Sequence, residues 1–290
     1  MTTDIIKYDF KPGLLQECEI VDLAKLYAES SDIITITHRA KFYHIIWFQN
    51  GNHLHLVDFN PITITPNTLL FINKDTVQRF DSNSNFQGKA ILFTDQFFCK
   101  TESDIKYLKE SILFNNLFTV TQIEIQNQLK IFTDLFQQIA DELHNEKDNL
   151  QSDILQNLLQ NLMLHSERER KKQNFYEIKK STDLDYVLLF KDILETNYTN
   201  QKQVNFYAKQ IIITEKRLNQ ATSKVLGKTP KQIIDDRIIL ESKRILAHTN
   251  ISIKEVGYNL GFDEPTNFIK YFKKHSNLTP IEFREKITSA

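Results

Sequence analysis

The C-terminal third of the chain carries one short pattern twice, and this repeat restricts the possible fold more than any other feature. Thr229-Pro230 and Thr279-Pro280 lie 50 residues apart, and Leu218 and Phe268 share the same offset. In each copy a Gln or Glu follows the threonine by three residues, which makes a capping box with proline in the first helical turn. A repeat of this size indicates that one supersecondary module is duplicated.

Each copy has the spacing of two helices that cross closely around a tight turn. Ala208 and Gly257 are small, and ten or eleven residues later the large apolar Leu218 or Phe268 follows. This spacing predicts a helix-turn-helix unit whose second helix packs across the first. Between the copies, Lys231–His248 has the pattern of a long amphipathic helix. We therefore predict an all-α C-terminal domain, residues 183–290, of two tandem helix-turn-helix units joined by a long helix.

The second copy resembles the C-terminal signature of the AraC/XylS family of bacterial regulators. The motifs that carry the resemblance are Gly261-Phe262, Asn267-Phe268, Phe272-Lys273-Lys274, Thr279-Pro280 and Phe283-Arg284, and in the first copy Ala208, Leu218, Gly227 and Thr229-Pro230. The resemblance covers about residues 183–286. It implies a sequence-specific transcription regulator that binds double-stranded DNA, and it admits RNA polymerase as a further partner. Gly257 stands where the family usually has Ala, and Thr222 where it usually has an aromatic residue; we expect both to loosen packing without removing the DNA-facing surface.

The second helix of each unit is the one expected to read DNA, and we predict these recognition helices over Glu215–Leu226 and Glu264–Lys274. The predicted DNA-binding residues are Thr214, Lys216, Arg217, Asn219, Gln220 and Lys224 in the first unit, and Thr266, Asn267, Lys270, Lys273 and Lys274 in the second. The resemblance implies that positions 216, 219, 220, 266, 267 and 270 face bases, where Asn and Gln can pair with adenine and Lys with guanine. Thr214, at a helix N-terminus, suits a phosphate.

The charge of this region agrees with a nucleic-acid partner but does not decide the question. Residues 181–290 hold 17 Lys and Arg against 13 Asp and Glu, whereas the whole chain has a net charge of −1. A polar, Lys-rich face is also what an ordinary surface helix presents. The prediction of DNA binding therefore depends on the repeat and not on the charge.

The N-terminal half has the pattern of a small all-β domain. Short runs rich in β-branched and aromatic residues predict strands over Ile33–Thr37, Tyr43–Gln49, His53–Asp58, Thr68–Ile72 and Ala90–Thr94. Turn signals separate them, above all Asn50-Gly51, which favours a tight hairpin. Close, even spacing indicates a barrel or sandwich. The resemblance implies a cupin-like β-barrel over residues 1–120 that serves as an effector or dimerisation domain, so the fold class is α+β multidomain.

The residues of the predicted barrel favour a small-molecule ligand over a metal. His53 and His55 alternate on one strand, but position 59 is Phe where a metal-binding cupin would place a Glu, and Gln78 is a poor metal ligand. We expect no metal and no cofactor. The candidate ligand-binding residues are Arg39, His44, Trp47, His55 and Arg79. The aromatic residues around them are equally compatible with an ordinary core.

Residues 121–170 have the period of two amphipathic helices, predicted over Gln122–Lys147 and Leu150–Glu167. Their apolar faces could dock on the barrel or on the same helices of a partner subunit, so we predict a homodimer with this hairpin as its contact. Residues 171–182 are highly charged and are predicted to be a linker.

Several classes of protein are excluded or disfavoured by what the sequence lacks. Cys18 and Cys99 form no CxxC pair, and no secretory signal or apolar run of membrane-spanning length occurs. We expect a cytoplasmic protein with no membrane partner. No P-loop, GxSxG, HExxH or dinucleotide fingerprint is present, so we predict that the chain is not an enzyme. Three hypotheses remain: a regulator that responds to a small molecule, a DNA-binding protein whose barrel only dimerises, and a metal-dependent cupin enzyme.

Overall fold

The structure is a computed structural model that describes residues 6–10, 16–82, 86–114, 120–173 and 181–288. It divides into two compact units, one formed by Ile6–Glu177 and the other chiefly by Ile178–Ala290. Most of the predicted linker, residues 174–180, lies outside the described residues.

The described strands of the first unit form two five-stranded sheets. The first sheet contains, in spatial order, β1 (Ile6–Tyr8), β3 (His38–Ala40), β8 (Val77–Arg79), β5 (His53–Val57) and β6 (Asn60–Ile64). The second contains β10 (Thr121–Glu124), β7 (Thr68–Ile72), β4 (Tyr43–Phe48), β9 (Gly88–Phe93) and β2 (Cys18–Asp22). All neighbours are antiparallel except β1 and β3. The prediction of a β-rich domain is confirmed, but its strands form two sheets and not one closed barrel.

Most of the predicted strands are present, and one is wrong. β4, β5, β7 and β9 match the predictions to within two residues at each end. The run predicted as a strand over Ile33–Thr37 instead begins as the end of helix α1 (Leu23–Ile34). This helix is capped by Asp22, whose side chain accepts a hydrogen bond from the Lys25 amide at 2.9 Å. Burial of Leu23 and Ile34 against the sheets outweighs the local preference of Ile for a strand.

The second sheet has an apolar core on each of its faces. In β4, Tyr43, Ile45 and Trp47 point to one side, whereas Ile46 and Phe48 point to the other, toward the first sheet. Alternation along the strand places His44 on the side of Ile46 and Phe48. The space between the sheets is therefore lined by every second residue of each strand.

Helices cover the other face of the second sheet. They are α2 (Asp95–Phe98), α3 (Glu102–Glu110), α4 (Leu129–His144) and α5 (Gln151–Lys172). The predicted first helix of the hairpin starts later than expected, because Thr121–Glu124 pairs with β7 as β10. Phe136 of α4 packs on Trp47 with ring centroids 5.1 Å apart. The hairpin therefore docks its apolar face on the sheet within the same unit.

In its described part, the second unit contains helices and no strands. Its helices are α6 (Thr182–Asn197), α7 (Val204–Gln210), α8 (Glu215–Leu226), α9 (Pro230–His248), α10 (Ile253–Asn259), α11 (Pro265–Ser276) and α12 (Pro280–Thr288). The capping box predicted at Thr229 is formed, and at the other predicted position Thr279 and Glu282 exchange the same pair of hydrogen bonds. A further capping box is present at Ser252, where α10 begins. The tandem units α7–α8 and α10–α11, joined by α9, confirm the predicted architecture. Within the described residues, no helix has both the length and the apolar character needed to cross a membrane.

Candidate nucleic-acid interface and sheet interior

The turn of the second helix-turn-helix unit requires a glycine. Gly261 has a φ of +68°, and a Cβ atom there would lie 1.9 Å from the backbone oxygen of Thr199. The Gly261 carbonyl also accepts a hydrogen bond from Lys202 Nζ at 2.7 Å. In the first unit, Ile212 occupies the same place in the turn with a φ of +62°. The two turns share their backbone conformation although their residues differ.

The two departures from the family pattern are accommodated in the core. A Cβ atom on Gly257 would lie 3.1 Å from Phe268 Cβ, so α11 approaches α10 closely at this point. Thr222 is fully buried, and its hydroxyl donates to the Asn219 carbonyl at 3.3 Å. The expected loosening at Gly257 is therefore wrong, because the larger Phe268 fills the space that a side chain would take.

Helix α8 buries one face and presents a polar one. Leu218, Ala221 and Thr222 are buried, whereas Lys216, Asn219 and Gln220 are exposed on the opposite side. Ser223 lies on the same exposed face, four residues after Asn219 and three after Gln220, although it is not among the predicted DNA-binding residues. Thr214 caps the helix, since its hydroxyl accepts from the Arg217 amide at 3.1 Å.

Two of the predicted DNA-binding residues of α8 are engaged elsewhere. Arg217 Nη1 donates to Asp183 Oδ1 at 2.5 Å, and Lys224 Nζ donates to Asp183 Oδ2 at 2.7 Å. These hydrogen bonds, first from Lys224 and then from Arg217, lower the pKa of the Asp183 carboxyl. Both cations thus reach from α8 toward α6, although Lys224 also follows Gln220 by one helical turn and its side chain is 72% exposed.

Helix α11 has the same division into a buried and a polar face. Phe268 and Phe272 are buried. The predicted residues Thr266, Asn267, Lys270, Lys273 and Lys274 are all exposed, and helical spacing places them on the side opposite the two phenylalanines. Lys216 and Lys270 form no ion pair with any residue that the structure describes.

The space between the two sheets holds a buried polar cluster among phenylalanines. Gln78 joins His44 and His55, with its Nε2 3.1 Å from His44 Nε2 and its Oε1 3.2 Å from His55 Nε2. The Nδ1 atoms of both histidines are buried and have no hydrogen-bond partner in the described structure. Burial lowers the pKa of His44 and of His55 to about 3, so both rings are neutral at pH 7. His38, which is not among the predicted ligand-binding residues, points into the same space opposite Gln78.

The five predicted ligand-binding residues do not come together. His44 and His55 meet between the sheets, whereas Trp47 lies on the helix-covered face of the second sheet. Arg39 alternates with the buried His38 and Ala40, and Arg79 alternates with Gln78, so both arginines lie on the other face of the first sheet. Among the described residues, no group of three or more His, Cys, Asp or Glu side chains is arranged to hold a metal ion.

Comparisons with known proteins assign a relationship to each half of the chain. A family model described as AraC-like ligand binding domain matches residues 21–160, and one described as helix-turn-helix domain matches residues 207–286. The lactose operon transcription activator of Staphylococcus xylosus is 30% identical over 93 residues, which cover 32% of this chain and 33% of that protein. The HTH-type transcriptional activator RhaS of Escherichia coli O1:K1 is 20% identical over 251 residues, covering 86% of this chain and 87% of RhaS.

Crystal structures of ToxT from Vibrio cholerae align with most of the chain at low sequence identity. A crystal structure of ToxT from Vibrio cholerae strain SCE256 with bound unsaturated fatty acid covers 94% of this chain and 96% of ToxT, at 16% identity and a TM-score of 0.44.

Proposed function

The chain belongs to the AraC family of transcription regulators, and from that premise we propose that α8 and α11 read the bases of one specific DNA sequence. The proposal depends on one observation. Each helix buries a large apolar residue, Leu218 or Phe268, and exposes polar side chains on its opposite side. A helix that is held from behind and polar in front is what base readout in the major groove requires.

The contacts divide into those that select bases and those that bind phosphates. Lys216, Asn219 and Gln220 from α8 contact base edges, as do Thr266, Asn267 and Lys270 from α11. Thr214, Lys273 and Lys274 bind the DNA backbone. Helix α9 has 19 residues and is therefore about 28 Å long. A rigid connection of this length suits two units that enter successive major grooves, about 34 Å apart.

Selection of bound fragments from random DNA tests this proposal directly. Once the wild-type chain has selected a duplex, Lys270→Ala and Gln220→Ala should each weaken binding to it by about 1–3 kcal/mol and leave random DNA nearly unchanged. Lys273→Ala should lower the salt slope by about one. Lys130→Ala, the same charge change on α4 of the other unit, is the control and should change neither. Equal loss on both duplexes for Lys270→Ala and Gln220→Ala would contradict base contact.

We further propose that a small-molecule effector binds between the two sheets of the first unit. Support comes from the unpaired, buried Nδ1 atoms of His44 and His55, because a buried polar group without a partner is costly and is satisfied by a ligand that can hydrogen-bond to it. Binding of the effector would change the orientation in which the two subunits of a homodimer present their DNA-binding units.

We also propose RNA polymerase as a downstream partner and the cytoplasm as the location of the protein. No catalytic step is proposed for this chain.

A further inference from the structure

Each recognition helix is held by one buried carboxylate from the helix that precedes its own helix-turn-helix unit. Asp183 lies in the first turn of α6 and contacts α8, and Asp235 lies in α9 and contacts α11. Each is only 7% exposed. The repeat therefore extends to three helices, α6–α7–α8 and α9–α10–α11, with one buried Asp in the first helix of each set.

The contact of Asp183 spans two turns of α8. Arg217 and Lys224 are seven residues apart, and they bind different oxygens of the same carboxylate. The Arg217 guanidinium also lies over the Tyr186 ring of α6, 5.0 Å from its centroid. A rotation or tilt of α8 would break at least one of these contacts.

The contact of Asp235 involves two residues one turn apart on α11. Tyr271 donates its hydroxyl to Asp235 Oδ1 at 2.7 Å, and His275 Nε2 lies 3.9 Å from Oδ2. Lys231, on α9 itself, donates to Oδ1 at 2.7 Å and partners the charge of the carboxylate. The rings of Tyr271 and His275 also lie together, with centroids 4.7 Å apart.

We propose that Asp183 and Asp235 are positioning residues that fix the rotation of α8 and α11 and thereby determine sequence specificity. The inference rests on the proposed function, in which these two helices read DNA. Readout of base edges depends on geometry, whereas attraction to phosphates tolerates displacement. Arg217 and Lys224 accordingly serve to hold α8 and do not bind the DNA backbone.

Asp183→Asn and Asp235→Asn in the full chain test the assignment, with the duplex selected by the wild type as probe. We expect each to bind the selected duplex about tenfold or more weakly, while affinity for random DNA is unchanged or, for Asp183→Asn, increased by the two released cations. Methylation protection should be lost in one half of the duplex for Asp183→Asn and in the other half for Asp235→Asn. Unfolding of the whole helical unit would instead abolish protection in both halves.

Matched controls lie beside each carboxylate. Asp185→Asn neutralises another acid in the first turn of α6. Asp236→Asn neutralises the next residue of α9, whose carboxylate pairs with the exposed Lys228 at 2.7 Å. Both side chains are exposed, and both variants should bind the selected duplex like the wild type. Tyr271→Phe deletes only one hydroxyl, so it tests the second unit if Asp235→Asn fails to fold. It should lose the same half of the protection pattern.

Two results would overturn the inference while leaving the proposed function intact. The first is an unchanged ratio of selected to random affinity in Asp183→Asn and Asp235→Asn. The second is a salt slope that falls by about one in Arg217→Ala or Lys224→Ala, since that would make them phosphate contacts. If the wild type selects no sequence at all, the proposed function fails first.

Discussion

Ile212 is the residue whose backbone conformation conflicts most clearly with its side chain. It has a φ of +62° in the turn before α8, and its side chain is 90% exposed. A β-branched residue in this left-handed region is a clear outlier, with a cost of roughly 1–2 kcal/mol. Because the side chain is exposed, little burial offsets that cost.

Ile212→Asn should therefore stabilise the chain by about 1 kcal/mol, since Asn tolerates the left-handed region. Urea unfolding of the helical unit, followed by circular dichroism, measures the change. The matched control is Leu189→Asn, which also replaces an exposed apolar side chain in this unit but in ordinary helical backbone. A gain no larger than that of the control would contradict strain at Ile212.

The conformation at Ile212 could have been predicted from the repeat. Ile212 follows Ala208 by four residues, just as Gly261 follows Gly257. The Ile-Ile-Ile run conceals the turn, because its local preference is for an extended strand.

The contact between Asp183 and α8 could not be predicted from the sequence, for a different reason. The role of Asp183 depends on two cations more than 30 residues away in sequence, and no local pattern indicates such a pairing.

At the scale of helices and strands, the sequence predicts an element correctly where the residues at its ends cap it. It fails where an element exists because it pairs with a strand elsewhere in the chain. Helix α8 begins and ends as predicted, because Thr214 caps its start and Gly227 ends it in the left-handed conformation. Asn60-Pro61 has the composition of a turn, but both residues lie in β6, which pairs along its whole length with β5. A proline is tolerated there because β6 is an edge strand.

The buried histidines between the sheets make the first unit sensitive to acid. The folded pKa of His44 and His55 is about 3, whereas an unfolded histidine has a pKa of about 6.5. The unfolded state therefore binds more protons below pH 6.5, and stability is lost as the pH falls from there toward 3. From pH 7.5 to 5.5, each histidine should reduce the free energy of unfolding by about 1.4 kcal/mol.

Trp47, the single tryptophan, lies buried in this unit, so its fluorescence reports urea unfolding of the sheets. A double variant, His44→Gln with His55→Gln, should lose the part of the pH dependence between pH 7.5 and 5.5 that these two rings contribute, whatever its absolute stability. His38, whose pKa burial also lowers, keeps its own contribution in this variant. His144→Gln, an exposed histidine of the same unit, should retain the whole of this pH dependence. The explanation fails if the double variant and the wild type lose equal stability on acidification.

At the scale of the whole molecule, we propose that an exposed apolar stripe on α5 contacts a second copy of the chain. Its inner face packs on the sheet, but Leu150, just before the helix, and Ile154 and Leu164 within it are exposed. Helical spacing places them on one stripe, with Asn157 and Asn161 between them. Buried asparagines in such a seam specify the register of two helices at some cost in stability. The homodimer stays a prediction, and this stripe is its proposed contact.

Replacing Ile154 and Leu164 together by Glu should convert the dimer to a monomer, because four carboxylates would face one another in a symmetric contact. Light scattering coupled to gel filtration measures the mass. Ile105→Glu, which changes an exposed apolar residue on α3 of the same unit, is the control and should leave the mass unchanged.

Because each protomer carries both recognition helices, the monomeric variant should still protect one copy of the selected sequence. It should bind a duplex with two copies without cooperativity, whereas a dimer gains from linking the two sites. A double variant that keeps the wild-type mass would place the dimer contact elsewhere.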